Sequence, residues 1–149
     1  MDKLPETLVV DACILFSFFN KDSDRRRLIE ELSNRGCRLV SPAFSLKELS
    51  AKGERIKKYG KINDLGFAFL LSLLEKKIEL YPGESYASFM PEANEISPHG
   101  EETMDDPYFA LALSLNASIW SDERAFKQQE SVKIYNTNEL FSLLSEKAP

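Results

Sequence analysis

The chain has 149 residues, enough for one domain with a real hydrophobic core. With 43% hydrophobic residues, 29% charged residues and a formal net charge of −5, it has the composition of an ordinary globular protein. It does not have that of a general polyanion binder, so any nucleic-acid contact has to come from a local basic patch. Cys13 and Cys37 have neither zinc-site spacing nor the density of a disulfide scaffold, and each sits in an apolar context. No apolar run approaches the roughly 18 residues of a membrane span. The start Met1-Asp2-Lys3-Leu4-Pro5 lacks the basic-then-apolar layout of a signal peptide. A cytoplasmic protein without membrane contact is the expectation.

In chain order, Leu8-Val9-Val10 is a short apolar run leading straight into Asp11, which reads as a buried strand of a parallel sheet. Ile14 to Phe19 is apolar and reads as a helix under the sheet. Asp22 to Arg35 is amphipathic, with Leu28, Ile29 and Leu32 on one face, and Gly36 suits the position just past its end. Cys37 to Val40 is a second strand. Ser41-Pro42 suggests an N-cap and first helical residue, opening a helix whose apolar face holds Ala43, Leu46 and Leu49, with Glu48 at its edge. Ile62 to Lys76 is a further helix and Ile78 to Tyr81 a third strand.

Pro82 to Thr103 carries three prolines and two glycines and reads as loop, with a short helix near Tyr86 to Phe89 and an exposed His99. Asp106-Pro107 starts a buried helix running to Leu115; Asp106 suits its N-cap. Ser118 to Trp120 and Val132 to Tyr135 are the fourth and fifth strands, and Thr137 or Asn138 caps a last helix through Leu144. No internal repeat or linker divides residues 1–149, so one domain is expected. Strands alternating with helices give a parallel sheet covered on both faces.

Four acidic positions fall at element boundaries: Asp11, Glu48, Asp105-Asp106 and Asp122-Glu123. Parallel strands bring their carboxyl ends to one edge, so Asp11 and Asp122-Glu123 converge there. Two carboxylates about 5 Å apart repel by roughly 3 kcal/mol at an effective dielectric of about 20. Such a cluster calls for a counter-charge, which magnesium or manganese supplies to hard oxygen ligands. With one histidine and no glycine-flanked serine, a Ser-His-Asp hydrolase is disfavoured. A phosphoacceptor receiver domain would want an acid pair after the first strand, where Asp11 stands alone.

The order of Val9-Val10-Asp11-Ala12-Cys13-Ile14-Leu15, Ser45-Leu46-Lys47-Glu48-Leu49, Asp105-Asp106-Pro107-Tyr108-Phe109-Ala110-Leu111-Ala112-Leu113 and Ile119-Trp120-Ser121-Asp122-Glu123-Arg124-Ala125-Phe126 resembles the PIN-domain family, the metal-dependent nucleases that include VapC-type toxins. The resemblance implies a three-layer α/β/α fold around a parallel sheet of about five strands. It also implies cleavage of single-stranded RNA with magnesium or manganese, often a homodimer, and for a toxin a small antitoxin partner. An RNA-processing nuclease is the other role it allows. Its first acid maps to Asp11, its helix glutamate to Glu48 and its third acid to Asp105, five and seven residues before Ala110 and Ala112. The fourth acid falls in a Ser/Thr-x-Asp-x-x-Phe pattern, where Ser121 and Phe126 place Glu123 in the slot and Asp122 one residue early. Asp122 is favoured slightly, on residue type. Cys13 stands where the family often has asparagine. That departure and the shifted fourth acid support the alternative, a PIN-like module that binds RNA or a protein without cutting.

Lys47, Lys52, Arg55, Lys57, Lys58 and Lys61 face only Glu48 and Glu54, a local excess of four positive charges directly beyond Glu48. With Arg124, these are the expected phosphate contacts, a solvated face without a ligand being the equal alternative for the stretch beyond Glu48. Arg25-Arg26-Arg27, surrounded by Asp22, Asp24 and Glu30, is a weaker candidate.

Overall fold

The computed structural model describes residues 3–98 and 105–147, with side chains through 145. Strand β1 (Thr7–Val10) is the centre of a five-stranded sheet with β2 (Arg38–Pro42), β3 (Ile78–Tyr81), β4 (Ser118–Trp120) and β5 (Ile134–Tyr135), in the order β3-β2-β1-β4-β5. Every neighbouring pair is parallel; Val9 is in register with Val40 on one side and Ile119 on the other. Because side chains alternate along a strand, Leu8 and Val10 face one way and Val9 the other. Leu8, Val10, Leu39 and Trp120 pack with helices α1 (Ala12–Ser17), α2 (Asp24–Asn34), α4 (Gly53–Gly60), α5 (Asp64–Lys77) and α8 (Thr137–Lys147). Val9, Val40, Ile119 and Ile134 pack with α6 (Met90–Ile96) and α7 (Asp106–Leu115). The result is the expected three-layer α/β/α fold.

Local chemistry fixes the element ends. Ser23 Oγ accepts from Arg25 N at 3.2 Å and caps α2. Gly36, at φ +86°, ends that helix: Cys37 N donates to Leu32 O and Gly36 N to Ser33 O, the paired bonds of a glycine-terminated helix. Asn136 and Glu139 form a reciprocal capping box at α8, with Glu139 N donating to Asn136 Oδ1 and Asn136 N to Glu139 Oε1. The cap therefore lies one residue before Thr137, which is already helical.

Four other expectations change. Ser41-Pro42 does not open a helix but ends β2, and α3 (Phe44–Ala51) starts two residues later. Ser41 is fully buried, its Oγ donating to Val10 O at 3.1 Å and sharing a 2.9 Å hydrogen bond with Ser45 Oγ. The basic segment after Glu48, assigned no element from sequence, is largely the helix α4. The stretch read as loop after Pro82 forms two single 3-10 turns and then α6, while residues 99–104, His99 among them, lie outside the described residues. Asp106 is the first residue of α7 and not its cap; it is buried, and its Oδ2 accepts from Asn94 Nδ2 at 2.9 Å, tying α6 to α7.

Candidate active site

Asp11 sits where β1 passes into α1, at the carboxyl edge of the sheet. Its extended backbone makes it the N-cap of α1, and its Oδ1 accepts from Cys13 N at 3.0 Å. Its Oδ2 accepts from the buried Ser121 Oγ at 2.7 Å, and Ser121 Oγ in turn accepts from Glu123 N at 3.1 Å. Only 8% of Asp11 is exposed. The carboxylate is thus oriented by the backbone at residue 13 and by the first residue after β4. The thiol of Cys13 is not needed for this, so the departure from asparagine leaves Asp11 held.

Glu48 is delivered by α3. Ser45 Oγ lies 2.9 Å from Ser41 Oγ and 2.8 Å from Pro42 O, and its one proton donates to either oxygen; both bonds pin the first turn of that helix to the end of β2. Glu48 follows Ser45 by three residues and so shares its face; both line one pocket of about 300 Å³ together with Cys13. Asp105 precedes α7 in the N-cap position, but its side chain makes no capping bond.

Tyr108, one turn into α7, reports on where these acids stand. It is 3% exposed, and its hydroxyl has no hydrogen-bond partner among the described residues. Burial raises its pKa most, followed by the charges of Asp11, Glu48, Asp105 and Cys13, so the phenol stays protonated. Cys13 is exposed, but the desolvation of its partly covered thiol raises its pKa, with Asp11 and Glu123 adding to it and Arg25 and Lys52 opposing. The charges of Asp11, Glu48 and Asp105 all raise the Tyr108 phenol, and those of Asp11 and Glu123 raise the Cys13 thiol.

Asp122 is turned elsewhere. Its Oδ2 accepts from Arg25 Nε at 2.9 Å and from Thr137 Oγ1 at 2.6 Å, and its Oδ1 from Thr137 N at 2.7 Å. Arg25 Nη2 lies 2.8 Å from the same Oδ2, and Arg25 Nη1 donates to Ser17 Oγ at 2.8 Å. Burial alone would raise the Asp122 pKa, but the bonds from Thr137 and Arg25 outweigh it and hold the carboxyl below its usual range. Asp122 fastens α2 and the first turn of α8 to the end of β4, which removes the reason for preferring it to Glu123.

Among the described residues, no group of three acidic, histidine or cysteine side chains is drawn together closely enough to hold a metal ion. The donor chemistry nevertheless fits a hard cation. Magnesium is held through one or two carboxylates and keeps several of its own waters. The Tyr108 hydroxyl, buried and without a partner among the described residues, is a polar group that a water of such an ion would satisfy.

The basic residues divide. Lys52 and Arg55 line the pocket with Glu48, whereas Lys57 Nζ is taken by Glu54 and Asp64. Lys47, Lys58, Lys61 and Arg124 are exposed. Sequence reasoning underrated Arg25 and overlooked Tyr108. The signal for Arg25 was its position: with Leu28, Ile29 and Leu32 it completes the i, i+3, i+4, i+7 stripe that α2 turns inward.

The PIN domain family matches residues 9–143. The chain belongs to the PIN-domain family. In structure it is similar to VapBC2 from Rickettsia felis, solved bound to a DNA fragment from its promoter, with a TM-score of 0.60 and 16% identity over 87% of this chain and 98% of that one. At that identity the likeness is one of fold. No curated protein matches the chain in sequence. PIN domains are generally nucleases, and they typically use divalent metals. No helix among the described residues is long and apolar enough to cross a membrane.

Proposed function

We propose that this PIN domain is a divalent-metal-dependent endoribonuclease that cuts single-stranded RNA. The observation that carries the reading is the buried Asp11 carboxylate at the carboxyl edge of the sheet, held by hydrogen bonds from Cys13 N and Ser121 Oγ and next in sequence to Ala12 and Cys13, which line a pocket with Glu48. Asp11, Glu48 and Asp105 would hold magnesium or manganese, with Glu123 as the fourth acid. When bound, the cation supplies positive charge that lowers the pKa of water and offsets charge developing on the phosphodiester. Ser121 and the Cys13 amide orient Asp11; the Tyr108 hydroxyl would bond a water of the bound ion; Lys52 and Arg55 would hold the backbone of the strand. The likeness to VapBC2 supports a toxin working with a small protein partner. Leu65 and Phe69, one turn apart on α5 and 82% and 63% exposed, give an apolar surface for such a protein.

The purified chain should cut single-stranded RNA with magnesium or manganese and stop with a chelator, and Asp11→Asn should abolish cleavage while RNA binding survives. Cleavage that persists in Asp11→Asn and in chelator would sink the mechanism. The second reading, a binding module, draws on the absence of three gathered donors among the described residues. It takes over if several RNAs stay intact and calorimetry detects no bound manganese.

A further inference from the structure

The pocket of about 300 Å³ beside the acids has walls that no metal chemistry requires. Phe16 on α1, Leu49 on α3 and Tyr59 on α4 form an apolar side, and Lys52 and Arg55 stand at its rim. Phe16 and Tyr59 pack with ring centroids 5.0 Å apart and planes tilted by 50°, and Tyr59 remains 46% exposed. An aromatic ring half open to solvent and packed against a second ring in the same wall is a stacking platform.

The platform is preformed. Ile56 anchors α4 in the core, and Gly60 packs so closely on the chain that a Cβ there would overlap the carbonyl oxygen of Phe19. Charge sets the occupant. Arg25 at the back of the pocket is committed to Asp122 and Ser17, but Lys52 and Arg55 make no ion pair among the described residues. An aromatic face beside two cations that make no ion pair among the described residues, in a pocket that Glu48 also lines, suits a planar base joined to a phosphate. The volume lies at the small end for ligand sites and suits one base with its sugar, not an inserted helix.

We propose that this pocket receives one nucleobase of the RNA strand, stacked on Tyr59, with the adjoining phosphate at Lys52 and Arg55 and the next phosphodiester directed to Asp11 and Glu48. The inference rests on the nuclease reading and gives it a substrate subsite.

The test uses the whole chain with chelator present, so that cleavage does not enter. The probes are a single-stranded hexaribonucleotide of mixed sequence and a ribose-phosphate hexamer without bases. Alanine at a stacking position weakens single-strand binding by roughly five- to a hundredfold. Tyr59→Ala should therefore bind the intact hexamer roughly tenfold more weakly than wild type, and Tyr59→Phe should bind it equally well. Both variants should match wild type on the baseless hexamer. Melting temperatures establish that the variants are folded, which the exposure of Tyr59 favours. Equal affinity of wild type and Tyr59→Ala for the intact hexamer would overturn the base subsite while leaving the nuclease reading standing. The same result together with lost binding of a co-expressed protein partner would assign the pocket to that partner. A wild-type chain that binds neither hexamer and cuts no RNA with manganese would overturn the nuclease reading and the subsite with it.

Discussion

Asp11 and Ser121 meet across the boundary between β1 and β4, with Ser121 Oγ donating to Asp11 Oδ2 at 2.7 Å in a buried setting. The same hydroxyl accepts from Glu123 N, so one serine connects the first acid to the turn that carries the fourth. Partners that orient a metal ligand are worth roughly 10- to 100-fold in metal affinity. Ser121→Ala should lower manganese affinity by about that factor in calorimetry and stability by about 1–2 kcal/mol in thermal melts, since Asp11 and the Glu123 amide each lose a partner. Unchanged manganese affinity would show that Asp11 needs only the Cys13 amide.

Asp122 and Glu123 should separate by kind of effect. Asp122→Asn gives up charge-assisted bonds to Arg25 and Thr137 and should destabilise the fold by about 1–3 kcal/mol. Its carboxyl is held below the usual range in the folded state, so its contribution is present above the unfolded value, near 3.9, and is lost as pH falls through the lower folded value. In Asp122→Asn the melting temperature should vary less with pH in that acid window. Glu123→Gln should reduce manganese affinity. A larger manganese loss in Asp122→Asn at equal stability would reverse the assignment.

The lysines make a similar contrast. Lys57 is held between Glu54 and Asp64, and these carboxylates raise its pKa. Lys57→Ala should therefore leave RNA affinity and its salt dependence almost unchanged. Lys52→Ala with Arg55→Ala should weaken binding across sequences and reduce the salt slope by about 1 for each phosphate no longer neutralised. Equal salt slopes for the two variants would remove Lys52 and Arg55 from the RNA path.

Much of this layout is legible in the chain. The apolar run before Asp11, the glycine after α2 and the strand–helix alternation give the sheet order its ingredients, because local patterns and parallel connectivity are sequence-local properties. Ser41-Pro42 misled because the hydroxyl that looks like a helix cap is buried against the carbonyl of Val10, a partner 31 residues away. Asp122 misled for the same reason: Arg25 and Thr137, which claim it, lie 97 and 15 residues away. The α6 helix was hidden by the prolines around it, although Pro91 sits in its first turn, where proline is tolerated.

Gly60 is needed for its lack of a side chain. A Cβ at this position would overlap Phe19 O, a backbone atom that cannot swing aside as a side chain would. Gly60→Ala should cost about 1–3 kcal/mol in denaturant unfolding through overpacking. It should also loosen Tyr59 from Phe16, which an increase in RNA dissociation rate would show. Normal stability in Gly60→Ala would mean that the end of α4 shifts freely, and that the aromatic platform is not fixed.

Tyr108 gives the sharpest test of the acidic site, because one substitution should have opposite effects with and without metal. Its ring packs edge-on against Phe44 with centroids 5.7 Å apart, so Tyr108→Phe preserves the packing and removes only the hydroxyl. That hydroxyl is buried without a protein partner among the described residues, a situation that costs about 1–3 kcal/mol. Without divalent metal, Tyr108→Phe should raise the melting temperature. With manganese, the lost donor should lower affinity and shrink the metal-induced rise in melting temperature. The phenol stays protonated because burial, Asp11, Glu48 and Asp105 all raise its pKa, so this contrast should be the same from pH 6 to about pH 9. A lower metal-free melting temperature together with unaltered manganese affinity would place Tyr108 in the core alone and remove it from the metal site.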